Sequence, residues 1–292
     1  MANSITLFKE NAPELLDKVY QSVSTTADFD IDGALVRAGA NANEIIVPKL
    51  DMDGLADYDR NSGYTEGDVN LTNETVQFNY ERGRKLQTDV IDNEETAGVI
   101  MGNLSSEFVR TKVVPEVDAV RYATYASMEN ISDLSPDGVT YKTGEEVLTA
   151  ISNAMASMTD DEVPEEGRYL RITAELYNAA KFVARTTNND ILNSFVNVKT
   201  VPQKRFQTSI ELLDGTADGE KQGGFKVADS SKDINFMIIH KPALLQYTKH
   251  AKMKVFNPDQ DQDGDRYKML YRIYGLNDAY ENKRAGIVVS HK

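Results

Sequence analysis

The chain contains no cysteine, which excludes disulfides, thiolate metal sites and cysteine nucleophiles. Its only histidines are His240, His250 and His291, and no two of them stand at a metal-ligand spacing. No apolar run approaches the ~18 residues that a membrane-spanning helix needs. The N-terminal stretch lacks a basic start followed by an apolar segment, so no secretory signal is expected. Positive charge is scarce as well. Lys and Arg number 32 against 46 Asp and Glu, giving a net charge of −14. That balance argues against a surface built to grip nucleic-acid phosphates. Neither a Gly-x-Ser-x-Gly nucleophile elbow nor a phosphate-cradling Gly-x-x-x-x-Gly-Lys loop occurs, so no enzyme constellation is expected. No cofactor is implied.

What the chain does have is a long acidic segment that is patterned to pair. Between Asp51 and Glu74 seven acids (Asp51, Asp53, Asp57, Asp59, Glu66, Asp68, Glu74) face one base, Arg60. Such a stretch carries too little apolar surface to offset its ordering entropy. Yet Val76, Phe78 and Tyr80 alternate with Thr75, Gln77 and Asn79, the period-two mark of a half-buried strand. Glu44–Val47, ended by Pro48, is a second strand candidate. Two strands with a long Gly-containing tip form a projecting hairpin arm, and an isolated hairpin is marginal in water. Its expected partner is another subunit. Tyr58 and Tyr64 flank Arg60 at the tip, and Tyr and Arg are enriched at protein interfaces. These three are the candidate inter-subunit contacts.

The remaining pattern is α+β. Residues 5–23 read as an amphipathic helical arm. A long helix is expected from Glu94, with Ala97, Met101, Leu104 and Phe108 on one stripe. Pro115 kinks or restarts it, and Val117, Val120, Tyr122 and Tyr125 carry it to about Met128. Thr143 and Glu146 have capping-box spacing ahead of Val147, Leu148, Ile151, Met155 and Met158. Arg168–Ile172 reads as a strand and Ala174–Ala184 as a helix, with short strands near Val196–Val201 and Ser209–Leu212. Ile234–Ile239 is an apolar run fit for a buried central strand. A short helix is expected at Lys241–Gln246, then strands Lys252–Phe256 and Arg266–Tyr274 around a polar turn, and a last strand at Gly286–Ser290.

The polar turn, Asp259-Gln260-Asp261-Gln262-Asp263-Gly264-Asp265, matches the first seven positions of a calcium loop. Its weak metal candidates are Asp259, Asp261 and Asp263, because Leu270 stands where the closing glutamate belongs. A solvated hairpin tip is the favoured reading, with a calcium-binding interaction module as an alternative. The acidic cluster Asp160, Asp161, Glu162, Glu165 and Glu166 reads as a solvated loop.

Gly54-Leu55-Ala56-Asp57-Tyr58-Asp59-Arg60-Asn61-Ser62-Gly63-Tyr64 resembles the extended loop of major capsid proteins from tailed phages of Gram-positive bacteria. The resemblance continues, in order, through Asp89–Thr96, Val113–Ala119, Val201-Pro202 with Arg205-Phe206, Asn235–His240 and Tyr271–Tyr274. It implies a tailed-phage capsid fold. The implied organisation is an N-terminal arm (1–30), a first peripheral segment (31–47), an extended loop (48–82) and a peripheral domain with a long spine helix (83–130). An axial domain (131–231), returning peripheral strands (232–280) and a final axial strand (281–292) complete it. The implied function is a structural subunit that builds an icosahedral shell around double-stranded DNA, without sequence-specific binding. The implied partners are further copies in pentameric and hexameric capsomers, scaffolding and portal proteins, and no membrane. The implied location is the virion capsid, assembled in the host bacterial cytoplasm. An encapsulin-like cargo shell is a same-fold alternative.

Overall fold

The computed structural model describes residues 24–31, 37–38, 44–91, 107–187, 190–261 and 264–292. The helical arm over 5–23 and the stripe Ala97, Met101 and Leu104 lie outside the described residues. In chain order the strands begin with β1 (Arg37–Ala38), β2 (Glu44–Met52), β3 (Val69–Gln77) and β4 (Tyr80–Asp89), followed by helix α1 (Val114–Ala126) and β5 (Ser132–Asp133). Helix α2 (Gly144–Asp160), β6 (Arg168–Thr173), helix α3 (Ala174–Thr187) and β7 (Asn197–Val201) come next. The chain ends with β8 (Ile210–Leu212), β9 (Phe225–Val227), β10 (Ile234–His240), β11 (Leu244–Phe256), β12 (Arg266–Ala279) and β13 (Ile287–His291).

The elements stack as layers. A five-stranded sheet runs β5-β13-β10-β6-β7, with β10 in its middle. Both faces of that strand are covered, which is why Ile234–Ile239 reads as an apolar run, interrupted only by Asn235, rather than an alternating one. Phe236 and Ile238 point with Leu170, Ile172 and Val288 into a core formed with α2 and α3. Met237 and Ile239 point the other way, toward Tyr122 and Tyr125 of α1. The far side of α1 packs through Val117 on Tyr80 and Ile273 of a second sheet, ordered β11-β12-β4.

Local chemistry sets several boundaries. The capping box forms as expected: Thr143 Oγ1 accepts from the Glu146 N–H at 3.2 Å, and Glu146 reaches back to the Thr143 N–H. Gly144 lets α2 approach α3, since a Cβ there would lie 2.2 Å from the Ala179 carbonyl. Pro115 falls in the first turn of α1, as the restart reading expected. Val109–Val113 widens into a π-helical turn whose Val114 N–H bonds Val109 O, and the chain passes into α1 with helical dihedrals throughout. The proline has no N–H to donate, and the wider turn accommodates the missing bond.

Two expectations are corrected. Ile234–His240 does not join the returning peripheral strands, because its neighbours are β6 and β13, in one sheet with the middle section. The expected helix at Lys241–Gln246 is only a 3-10 turn, Lys241–Ala243. From Leu244 the chain is already paired with β12, opposite Ala279, and burial of Leu244, Leu245 and Gln246 overrides local propensity.

Candidate assembly surface

The arm is the hairpin β2–β3, whose register runs from Glu44↔Gln77 to Met52↔Val69. At its root Ile45 and Val76 are buried against Leu245 and Leu276. At β4 the chain changes sheets, passing from pairing with β2 to pairing with β12. The β4–β12 ladder ends at Tyr80↔Gly275; continued, it would put Asn79 opposite Leu276 and Phe78 opposite Asn277. Instead the Asn79 side chain supplies both bonds: its Nδ2 donates to Asn277 O at 2.8 Å, and its Oδ1 accepts from Asn277 N–H at 3.0 Å. Phe78, freed from the ladder, stacks on Tyr274 with ring centroids 4.7 Å apart.

Beyond Met52 the arm closes in a built turn. Asp59 and Gly63 exchange backbone hydrogen bonds of 3.3 and 2.8 Å. Gly63 has φ +86°, a conformation that costs other residues but not glycine. The Asp59 carboxylate accepts from the N–H groups of Asn61 and Ser62, at 2.6 and 3.3 Å. Those bonds, Asn61 first, hold its pKa below the ordinary value. The turn brings the predicted Tyr58, Arg60 and Tyr64 together. The two tyrosine rings meet edge to face at 4.9 Å, and Arg60 is exposed between them in the chain. The apolar groups here point into solvent: Leu55, Tyr64, Val69 and Leu71 are 108, 90, 71 and 63% exposed. Clustered exposed apolar side chains mark an interaction surface.

A second polar segment was not anticipated from sequence. Ser24–Ile31 threads as a strap between the two sheets, held by buried charges. Asp118 on α1 is fully buried and accepts from Ser24 Oγ, Thr25 N–H, Thr25 Oγ1, Thr26 Oγ1 and the Arg205 guanidinium, all between 2.6 and 3.1 Å. Arg171 of β6, also fully buried, donates to Thr25 O and Asp28, and its guanidinium lies 4.6 Å from the Phe29 ring centroid. Arg121 reaches Thr26, Asp30, Thr248 and Asn277. The sequence signal was present: charged residues inside the apolar pattern of α1 and in the middle of a buried strand.

The remaining candidates are placed as follows. Asp259 lies in a 3-10 turn, Pro258–Gln260. Asp261 forms an ion pair with Lys268, so an ammonium already occupies the place of a cation beside that carboxylate. Asp263 lies outside the described residues. Among the described residues no group of His, Cys, Asp and Glu is arranged to hold a metal ion. His291 is buried, with Nε2 3.1 Å from Asp133. Burial, then the nearby Arg168 charge, lowers the pKa of His240.

No protein-family model matches the sequence, and no curated protein matches it. Solved structures do. A chain from Mycobacterium phage Che8 superimposes with a TM-score of 0.63 at 15% identity, over 99% of this chain and 98% of that one. A chain in the capsid of cyanophage P-SCSP1u gives 0.62 at 14% identity, covering 97 and 92%. A chain of the mature capsid of bacteriophage PhiM1 gives 0.61 at 10% identity, covering 99 and 92%. Sequence identity is low while the likeness runs along nearly the whole length of each chain. The chain therefore has the α+β fold of phage capsid subunits.

Proposed function

We propose that the protein is the major capsid protein of a tailed phage, a structural subunit that assembles with copies of itself into an icosahedral shell around double-stranded DNA. The observation that carries this reading is the arm. A projecting hairpin with solvent-exposed Leu55, Tyr58, Tyr64, Val69 and Leu71 is a liability in a monomer and a contact element in a lattice. The end-to-end likeness to phage capsid chains supports the same reading. Pentameric and hexameric capsomers, and scaffolding and portal proteins as partners, follow from it, as does assembly in the host cytoplasm. The acidic balance means that the genome is held by enclosure and small counterions, not by phosphate-gripping side chains. Negative-stain microscopy and sedimentation of the concentrated protein test the proposal. Closed particles of uniform diameter are expected, with nuclease-protected DNA in those recovered from infected cells. A protein that stays monomeric at all concentrations, with or without co-expressed phage proteins, would remove the basis for it. Particles holding protein cargo and no nucleic acid would point to an encapsulin-like shell instead.

A further inference from the structure

Between Phe206 and Ile234, both fully buried, the chain makes an excursion in which no residue from Thr208 to Lys232 is buried. Its regular part is the β8–β9 hairpin, a two-stranded sheet paired from Ile210↔Val227 to Leu212↔Phe225, and such a hairpin is marginal by itself. Leu212 and Val227 stand 41 and 43% exposed. Beneath the hairpin lies a cavity of about 580 Å³, walled also by β4 and the π-helical turn. Its lining is mixed, with the carboxylates Glu107, Glu116 and Asp214 as many as the cations Arg82, Arg84 and Lys112. Charged groups in the wall keep such a gap hydrated, so widening it costs less than parting two apolar faces.

The excursion has a hinge at one end and a latch at the other. At the hinge Gln207 Nε2 donates to Asp233 Oδ1 at 2.7 Å, and Thr208 N–H donates to Lys232 O at 3.0 Å. At the far end two arginines of β4 reach across the cavity to backbone carbonyls. Arg82 Nη2 donates to Leu213 O at 2.7 Å and to Gly224 O at 3.3 Å, and Arg84 Nη2 donates to Lys221 O at 2.8 Å. Arg82 is itself held by Glu116 of α1, 2.8 Å away. The other bonds of the hairpin and its loop are internal, such as Leu213 N–H to Gly224 O, the Lys226–Glu211 pair, and the Thr216 and Ala217 N–H groups to Asp214. We propose that residues 208–232 are a flap, which swings open over the cavity as one unit about its Gln207–Asp233 end and is latched shut by Arg82 and Arg84. A latch made of side chains on carbonyls releases without breaking any strand pairing, so opening is far cheaper than unfolding. Because both latch residues stand on β4, the strand that leads out of the arm, the closed flap also braces the arm's root.

Hydrogen exchange of the intact subunit in low urea, followed by mass spectrometry, separates a flap from a fixed hairpin. Amides bonded within residues 210–227 are expected to exchange together, at least about a hundredfold faster than those of β10. Urea below the unfolding transition should leave their rate unchanged, because the opening exposes little surface. Arg84→Gln removes one latch bond and touches no carboxylate pair. It is expected to raise the hairpin's rate roughly fivefold while β10 and the denaturation midpoint are unchanged, with Arg84→Lys falling between. Val113→Cys gives a second readout, since it puts a single thiol in the cavity wall of a chain with no natural cysteine. Its reaction with a thiol reagent should quicken by the same factor when Arg84→Gln is added. Exchange of the hairpin at the rate of β10, through global unfolding alone, would overturn the flap, as would an Arg84→Gln effect spread equally to β10. Exchange and labelling both indifferent to Arg84→Gln and to Arg82→Gln would overturn the latch.

Discussion

The strap and the arm tip are both polar, both short of apolar surface, and meet opposite fates. Ser24–Ile31 is drawn into the body because the body supplies partners for it: the buried Asp118 for its hydroxyls, the buried Arg171 and half-buried Lys199 for Asp28, and the buried Arg121 for Asp30. Residues 53–68 find nothing comparable among the described residues of their own chain. Their bonds are local ones, such as Asp68 N–H to Asp53 at 2.9 Å and Thr65 Oγ1 to Asp57 O at 3.2 Å. Polarity alone therefore does not decide whether a segment is core or surface. The decision rests on whether desolvated charges elsewhere in the fold need what the segment offers.

The sharpest way to break this comparison is Asp118→Ala. It leaves Arg205 and the strap hydroxyls buried with lost partners, and removing one member of a buried pair costs about 3–5 kcal/mol. Urea unfolding of the dissociated subunit should show that loss. A change under about 1 kcal/mol would mean that the strap is not held by this carboxylate. Replacing Leu55–Asp68 by a short Gly/Ser linker should do the reverse. Subunit stability should move by about 1 kcal/mol or less, since closure entropy varies slowly with loop length. Particles should fail to form, as read by sedimentation. Unfolding of the subunit would place the segment in its core, and normal particles would deny it a part in assembly. Arg60→Ala should leave the subunit unchanged and weaken assembly by up to ~2 kcal/mol per contact, measured as a rise in critical concentration. The smallest effect is expected at His240. Its pKa is lowered on folding, so the unfolded chain takes up a proton first as pH falls below the ordinary 6.5. Stability should therefore decline from about pH 6.5 down to the folded value and then level off with respect to this group. His240→Gln should flatten that part of a pH series of denaturation midpoints; an unchanged slope would assign it to another group.

Much of the fold was legible because it is written locally. The Thr143/Glu146 spacing fixes the start of α2, the apolar run fixes β10, and Tyr58, Arg60 and Tyr64 fall within one turn of the arm. The strap was not legible because its partners are distant. Thr25 and Asp118 are 93 positions apart, and Gln246 bonds Thr26 across 220. A lone charge in an apolar pattern announces that a partner exists without saying where. The start of β11 and the end of β12 were missed for a related reason. Pairing across the sheet extends both strands well past the alternation visible in either one.

Asn79 carries a consequence of its own. By lending its amide to Asn277, it completes the hydrogen bonding of β12 while the main chain at Phe78 and Asn79 is released from both ladders. The arm thus leaves the body through two residues held by side chains, the Asn79 amide on Asn277 and the Phe78 ring on Tyr274, instead of by ladder bonds. In the shell proposed above, one chain placed around both fivefold and sixfold axes would meet its neighbours at more than one angle. A joint of this kind would let identical chains take up that difference at the shoulder by resetting two side-chain contacts, with the ladders on either side unchanged.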